Sequence, residues 1–345
     1  MHALHEHGNG HGHGNGHGNG HESSRGSRTR RAALPAVAAA VAAVSLALLL
    51  PAPPAHAFLP ENHTAITRQA LASWEGASLG QFADGRDGAI GANDKRPYFD
   101  LGFLHCDNAD FLDTPGYPRS REQANDEIIA CVRSSVVRFR SAVAAADGLV
   151  DADGKVIPGA NDLSEPCAWD EDPGRAKCAV YEQLGRGWHQ IEDFYSHSNW
   201  SDRADSGPVG IDNPPGLART TVTDLFRIRT WAGLKGDDWI PTVRALVPRD
   251  LTTGCYPDLD STGSQAPRSC PGRVRHDGVL AKDGENVARA RVDDNFRHAF
   301  DLAVADITRQ WDDFRAELRA TYPDHRRGEQ MICALTHDDP VHACP

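Results

Sequence analysis

Two histidines and an aspartate at four-residue intervals form the pattern in this sequence that is most typical of metal chemistry. They are His189, Asp193 and His197. On an α-helix, residues four apart lie on one face, so these side chains would form one line. Eight residues of helix rise about 12 Å, whereas zinc holds its ligands at about 2 Å. Either the helix ends before His197 and the chain folds back, or more than one ion is bound, with Asp193 bridging two of them.

The elements that would position these side chains are helices, because strand signals are few and short. Apolar residues at helical spacing predict six helical segments, at 64–74, 119–145, 178–195, 217–234, 239–246 and 286–322. Loops rich in glycine, proline, aspartate and serine separate them, at 76–97, 148–173, 201–216 and 248–284. The sequence therefore predicts a mainly α fold with long loops. An ordinary amphipathic helix over 178–195, with its polar face in solvent, would explain the histidine spacing without a metal.

The first 57 residues have the composition of an export leader. Four arginines between residues 25 and 31 precede an uncharged run at 32–50, prolines follow at 51–54, and Ala55-His56-Ala57 matches a small-x-small cleavage site. This pattern predicts a secreted protein that begins at Phe58. The arginine pair in segment 29–34 resembles a twin-arginine export signal. An uncleaved membrane anchor is the alternative, because the apolar run is just long enough to span a bilayer.

A histidine- and glycine-rich tract precedes the export signal, and it would be removed with the leader. The remaining chain, 58–345, is long enough for one helical domain with a sizeable core. Loss of the leader's four arginines and two glutamates changes the formal charge from −12 to −14. Such an acidic protein is not a sequence-independent nucleic-acid binder by electrostatics. It could still act on phosphates if bound cations reverse the local field.

All eight cysteines follow the predicted cleavage site, as expected for disulfides in a secreted chain. They are Cys106, Cys131, Cys167, Cys178, Cys255, Cys270, Cys333 and Cys344. None forms a Cys-x-x-Cys pair, which argues against a thiolate zinc cluster. Eight cysteines allow 105 connectivities, and we expect sequence neighbours to pair: 106–131, 167–178, 255–270 and 333–344.

Segment 189–200 carries a family resemblance, reading His-x-x-x-Asp-Phe-Tyr-Ser-His-Ser-Asn-Trp. It resembles the central helix motif of the Het-C-like proteins, which belong with the zinc-dependent phospholipase C and S1/P1 nuclease superfamily. Other similarities are scattered more weakly along the chain. The resemblance implies an all-α domain that holds two or three zinc ions and cleaves phosphoester bonds.

The resemblance implies metal ligands at the start of the mature chain. In that superfamily the first residue binds zinc through its backbone amine and carbonyl, and a histidine ligand follows shortly after. Here these positions fall on Phe58 and His63, and segment 63–71 is similar to the family's opening helix. The family's usual first residue is tryptophan, so Phe58 is a departure. The ligand atoms would belong to the backbone, so signal cleavage would create part of the site.

The family also supplies an aspartate followed about a dozen residues later by a histidine. His105 matches that histidine, and Asp94 is our choice for the aspartate, with Asp100 as the alternative. Cys106 replaces the aromatic residue that often follows. The resemblance implies that Asp94 binds metal, and its carboxylate could also act as general base.

The last expected ligands are His197 and His276. The segment that begins His276-Asp277-Gly278 and reaches Lys282-Asp283 resembles a His-Gly-Gly…Asn-Lys-Asp stretch of the Het-C-like branch. The competitor for His276 is His298. A second helical His-x-x-x-[Glu/Asp] pair, as in the phospholipases, is not met there because Leu302 follows His298 at +4, which leaves the metal bound by His197 in doubt.

We therefore expect an exported zinc-dependent phosphoesterase, which acts on a lipid headgroup, a nucleotide or single-stranded nucleic acid. Peripheral membrane contact fits the lipid substrate, and no stable protein partner is expected. One alternative is a non-catalytic Het-C-like protein with structural metal that acts in binding at the cell surface. Another is a disulfide-stapled secreted domain without metal. Separation of His63, His105 and His189 by more than about 10 Å would support the last alternative, because one metal centre could not then join them.

Overall fold

The structure, a computed structural model, describes residues 58–170, 174–256 and 270–344. The described chain is mainly helical, and its β-structure is limited to isolated bridges. Its α-helices are α1 (Pro60–Ala70), α2 (Gly76–Ala83), α3 (Arg121–Ala146), α4 (Ala176–His197), α5 (Ile228–Ala232), α6 (Ile240–Leu246), α7 (Ala288–Arg291), α8 (Asn295–Thr321), α9 (Arg327–Thr336) and α10 (Pro340–Ala343). Short 3-10 helices occupy Ala89–Asp94, Tyr98–Asp100, Gly102–Leu104, Asp147–Leu149, Pro158–Ala160, Asp224–Phe226, Val292–Asp294 and Asp324–Arg326. The predicted leader lies outside the described residues.

Helix α4 is the central element of the fold. It packs against α3, α8 and the 3-10 helix Ala89–Asp94, and every residue from Leu184 to His197 is buried. Toward α3, the Gln190 side chain forms hydrogen bonds with Ser134 and Ser135, and toward α8 the Tyr195 hydroxyl donates to Asp306 at 2.6 Å. Its polar side chains point into the protein as well, so this is not an amphipathic helix with one face in solvent. Buried polar groups of this kind require partners.

Two of the predicted helices are interrupted. The predicted helix 217–234 is wrong over most of its length, because only Asp224–Phe226 and Ile228–Ala232 are helical. The Thr223 hydroxyl accepts a hydrogen bond from the Leu225 amide and closes a short local turn instead. The predicted helix 286–322 is broken at Asp293 and Asp294, whose φ angles of 47° and 61° are left-handed.

Segment 76–97 is not the continuous loop that its composition predicts. It contains α2 and the 3-10 helix Ala89–Asp94. The Asp338 carboxylate accepts hydrogen bonds from the backbone amides of Ala77 and Ser78, at 2.9 and 2.6 Å, in the first turn of α2. An acceptor more than 250 residues away in sequence thus satisfies the free amides of this helix start. A contact between segments so far apart in the sequence cannot be predicted from a local sequence pattern.

The four expected disulfides are confirmed. Cys106 pairs with Cys131, Cys167 with Cys178, Cys255 with Cys270 and Cys333 with Cys344. The first bond attaches the segment after Gly102–Leu104 to α3, next to His105. The others close short loops beside α4 and at the C-terminus. None of the described helices combines the length and the apolar composition that a bilayer span requires.

Candidate metal centre

The predicted site residues meet beside α4 in two adjacent groups. The first, which we call the Asp193 cluster, contains His63, Asp94, His105, His189 and Asp193. The second, the His197 group, contains Asp107, His197 and His276. Within each metal-sized triad of these residues, the candidate ligand atoms lie within 4.8 Å of one another.

Helix α4 continues through His197, so the chain does not fold back to bring three ligands to one ion. His189 and Asp193 serve the first group, and His197, the last residue of the helix, serves the second. The arrangement corresponds to the expectation of more than one ion. The rings of His63 and His105 lie 4.3 and 5.0 Å from the His189 ring, so the separation that would support a metal-free site is not observed.

The Asp193 carboxylate lies between three imidazoles. Its Oδ2 is 2.9 Å from Nδ1 of His105 and 2.9 Å from Nε2 of His189, and its Oδ1 is 3.2 Å from Nε2 of His63. One oxygen therefore faces the pair His105 and His189, while the other faces His63. This is the geometry of a carboxylate that can bridge two metal positions.

His189 is fixed by the element that packs beside it. Its Nδ1 lies 2.8 Å from the Ile90 carbonyl oxygen, which can only accept a hydrogen bond, so Nδ1 donates. The other nitrogen, Nε2, therefore faces Asp193, at 2.9 Å from its Oδ2. Such a second hydrogen bond sets the tautomer and the orientation of a metal-binding histidine.

The aspartate that joins the cluster is Asp94 rather than Asp100. Oδ1 of Asp94 lies 3.5 Å from Nε2 of His189, and both Asp94 carboxylate oxygens are buried without a hydrogen-bond partner. Asp100 is instead ion-paired with Arg96 near the surface. The end of the 3-10 helix Ala89–Asp94 thus points a carboxylate into the cluster.

Glycine at position 185 allows that 3-10 helix to lie directly on α4. A Cβ at Gly185 would lie 2.4 Å from the carbonyl carbon of Ala89, which is closer than atoms can approach. We expect Gly185→Ala to destabilise the protein by about 1–3 kcal/mol through overpacking, although alanine favours a helix by about 1 kcal/mol. Urea unfolding measures this change. Gly80→Ala in α2 is the control, because nothing lies within 4 Å of its Cβ position and the added propensity should stabilise. A Gly185→Ala protein as stable as Gly80→Ala would contradict the close packing.

The His197 group is completed by residues from two loops. His197 Nδ1 donates to the His105 carbonyl oxygen at 2.9 Å, which leaves Nε2 3.8 Å from Oδ1 of Asp283. The His276 ring lies 4.3 Å from the His197 ring, and its Nε2 is 3.9 Å from Oδ1 of Asp107. The His276 Nδ1 faces Asp277 at 2.8 Å, so that Nε2 again points into the group.

Two acidic residues here were not assigned as ligands from the sequence pattern: Asp107, a member of this group, and Asp283, which lies beside it. Asp107 lies two residues after His105, and Asp283 directly follows Lys282, so both belong to segments that carry the family resemblance. The competitor, His298, is exposed on α8 and belongs to neither group. The partners of His197 are therefore loop residues, which explains why the helical His-x-x-x-acid pattern is missing.

The donor atoms fit a metal because so many are buried without a partner. Unpaired buried polar atoms cost about 1–3 kcal/mol each, and more when charged. Here the atoms without a hydrogen bond are Nε2 of His105, His197 and His276, Oδ1 of Asp107 and both carboxylate oxygens of Asp94; Nε2 of His63 and Oδ1 of Asp193 face each other at 3.2 Å but also lack a hydrogen bond of good geometry. Bound cations would satisfy them. The set of imidazoles and carboxylates suits zinc and other first-row divalent metals.

A third group of potential ligands lies near the C-terminus, at Cys333, His337 and Cys344. The two cysteines are joined in a disulfide, so their sulfurs are not thiolate ligands.

Phe58 lies beside the Asp193 cluster. Its side chain is fully buried, and its ring meets those of His63 and Phe296 edge-on at centroid distances of 6.0 Å. The aromatic ring thus forms an apolar wall behind His63. Binding of metal by the Phe58 amine and carbonyl stays a prediction.

The electrostatics of both groups favour positive charge. Burial lowers the pKa of His63, but Asp193 and Glu192 outweigh it and raise that pKa well above the usual value. Burial opposes ionisation of Asp193, yet His189, His197 and His105 bring its pKa well below the usual value. Protons on imidazoles thus balance the carboxylates when no metal is bound, and cations can replace them.

His276 gives the metal-free protein a pH dependence. Burial lowers its pKa, but Asp107, Asp283 and Asp277 together raise it to about 10, against 6.5 in an unfolded chain. A histidine with a raised pKa stabilises the fold fully below pH 6.5 and loses that contribution as pH rises toward about 10. We expect the unfolding free energy of chelator-treated protein to fall across this window in urea titrations. The unfolding free energy of a His276→Gln variant should fall less over the same pH range. An equal fall in both proteins would contradict the assignment of this pH dependence to His276.

No protein-family model, curated protein or solved structure matches this chain. The resemblance to the Het-C-like proteins therefore rests on the motif at 189–200 and on the weaker similarities around it.

Proposed function

We propose that this chain is an exported zinc-dependent phosphoesterase, of a phospholipase C-like or nuclease-like kind. The observation that supports it most is the bridging position of Asp193, which faces His63 with one oxygen and His105 and His189 with the other. Carboxylate-bridged metal pairs are typical of enzymes that cleave phosphoesters. The four disulfides are compatible with export.

In this proposal the Asp193 cluster and the backbone of Phe58 hold two ions, and the His197 group holds a third. Zinc bound there would supply a Lewis acid and, near neutral pH, a hydroxide nucleophile from water. His189, held by the Ile90 carbonyl, keeps one ligand nitrogen in a fixed direction. Asp94, whose two carboxylate oxygens lack a hydrogen-bond partner, would act as the general base that accepts a proton from the attacking water.

The substrate in this proposal is a phosphodiester or a phosphomonoester. A lipid headgroup, a nucleotide and single-stranded nucleic acid all present that group, and bound cations would reverse the local field of this acidic chain so that it can receive one of them. Activity on a lipid headgroup would bring peripheral membrane contact, and no stable protein partner is proposed.

A second candidate function is a non-catalytic exported protein with structural metal that binds at the cell surface. The tight enclosure of the donors favours it: the side chains of Asp94 and His105 are 9% and 6% exposed, and that of His189 is fully buried. Closed four-ligand sites are structural, whereas catalytic sites keep an open position.

Metal content and turnover measured on the same sample separate the two functions. The protein starts at Phe58 without a tag and is analysed for zinc, then assayed with bis(p-nitrophenyl) phosphate, p-nitrophenyl phosphate and phosphatidylcholine vesicles. Two or three zinc ions per chain with turnover that Asp94→Asn abolishes would support the phosphoesterase. Zinc without turnover on any substrate would leave the structural-metal function, and no zinc after refolding with the metal would exclude both.

A further inference from the structure

Glu192 is a fully buried carboxylate that the proposed metal centre does not use as a ligand. It lies on α4 next to Asp193, but its side chain reaches α1 instead of the bridging position. Oε2 is 2.5 Å from Nδ1 of His63, and Oε1 accepts a hydrogen bond from the Thr67 hydroxyl at 2.8 Å. Both oxygens are thus occupied by α1, one turn apart on the same helix face.

The contact fixes which nitrogen of His63 is offered to Asp193. Because a carboxylate only accepts hydrogen bonds, Nδ1 of His63 must carry the proton between them. Nε2, which is 3.2 Å from Oδ1 of Asp193, then carries the lone pair once the ring is neutral. A carboxylate behind a histidine in this way fixes its orientation and makes the free nitrogen a better metal ligand.

A purely structural role for Glu192 is a poor explanation of its burial. Its side chain is fully buried, and burying an ionised carboxylate is costly unless charged or hydrogen-bonding partners compensate it. A neutral or apolar side chain of similar size would join α1 to α4 without that cost. The carboxylate is useful where a cation on the far side of His63 returns part of the cost.

We infer that Glu192 is a positioning residue, which holds His63 in the tautomer that presents Nε2 to the ion shared with Asp193. The inference rests on the proposed metal centre, and it assigns to Glu192 control over one ion of that centre. Ions held by Asp94, His105 and His189 and by the His197 group would not have His63 as a ligand, so we expect their affinity to be unaffected.

The test compares zinc affinity in full-length mature protein and its Glu192→Gln variant. Zinc content after dialysis and competition with a chromophoric chelator give the number and the affinity of the ions without an activity assay. We expect one ion to bind about 10–100-fold more weakly, the usual effect of losing such a carboxylate. Glu182→Gln is the matched control, because Glu182 lies on the same helix but pairs with Arg186 at 2.9 Å and not with His63.

A double-mutant cycle with His63→Ala shows whether Glu192 acts through His63. If it does, Glu192→Gln should weaken zinc binding no further once His63 is absent. An equal loss in both backgrounds would overturn the inference, as would unchanged affinity in Glu192→Gln. Circular dichroism of the metal-free variants shows whether they fold. If Glu192→Gln does not fold, Thr67→Val, which removes the other contact of Glu192, replaces it in the test. A wild-type protein that binds no zinc would overturn both the metal centre and the positioning role of Glu192. Zinc binding by the wild type with the same affinity in Glu192→Gln would overturn only the positioning role.

Discussion

The Asp193→Asn variant is expected to lose most of its metal and its phosphodiester hydrolysis. Asp193 contacts His63, His105 and His189 with its two oxygens, so it can belong to two ion positions at once. An amide at this position is neutral, and one of its two ends donates hydrogen bonds instead of binding a cation. Zinc content should fall to at most the ion of the His197 group, and hydrolysis of bis(p-nitrophenyl) phosphate should fall on the order of 10³-fold or more.

Asp100→Asn provides the control for this experiment. It makes the same chemical change in the same part of the chain, but Asp100 pairs with Arg96 near the surface and does not reach the cluster. Zinc analysis and the hydrolysis assay should both remain at the wild-type level. Full zinc content in Asp193→Asn would mean that the carboxylate does not bridge ions, and the proposed centre would have to be abandoned.

The sequence was sufficient to predict the elements that depend on local pattern. The helical spacing of His189, Asp193 and His197 predicted a shared face, and it left two alternatives, a chain that folds back before His197 or more than one ion. The structure places these residues in two groups on α4. The pairing of neighbouring cysteines is also confirmed. Sequence neighbours can pair because each pair is separated by a short stretch of chain.

The residues that sequence reasoning missed depend on contacts between distant segments. Asp107 and Asp283 lie near the ends of separate loops, and only the packing of both loops against the end of α4 brings them to His197 and His276. Helical periodicity contains no information about such loops. Glu192 was overlooked for a related reason, since only the packing of α1 shows that its carboxylate supports His63.

The packing of distant segments also explains the errors in the helix prediction. α2 lies in a segment rich in glycine, and its free amides are satisfied by Asp338 from the C-terminal region. The region 217–234 has helical spacing, yet Arg309 from α8 donates hydrogen bonds to the carbonyl oxygens of Thr223 and Phe226. Those carbonyls are therefore satisfied outside any local helix, and tertiary contacts override the local preference.

Removal of metal is expected to lower the melting temperature by roughly 8–16 °C for each ion lost. An ion present at 1,000 times its dissociation constant stabilises the folded state by about 4 kcal/mol, and each kcal/mol shifts a domain of this size by about 2–4 °C. The reason for so large an effect is the buried carboxylates of Asp94, Asp107 and Asp193, which retain unpaired oxygens when no cation is present. Thermal unfolding followed by circular dichroism, with and without a strong chelator, measures the shift.

Two histidine variants separate metal loss from a general effect of the chelator. His276→Ala removes a buried donor of the His197 group. Its melting temperature with zinc present should therefore be lower than that of the wild type, and the chelator should lower it by a smaller amount. His298→Ala changes an exposed histidine outside both groups and should behave like the wild type. A melting temperature that the chelator leaves unchanged in all three proteins would show that the unpaired donors are satisfied without metal. The same histidines and aspartates would then form a buried polar network, held together by the protons that the raised pKa of His63 and His276 retains.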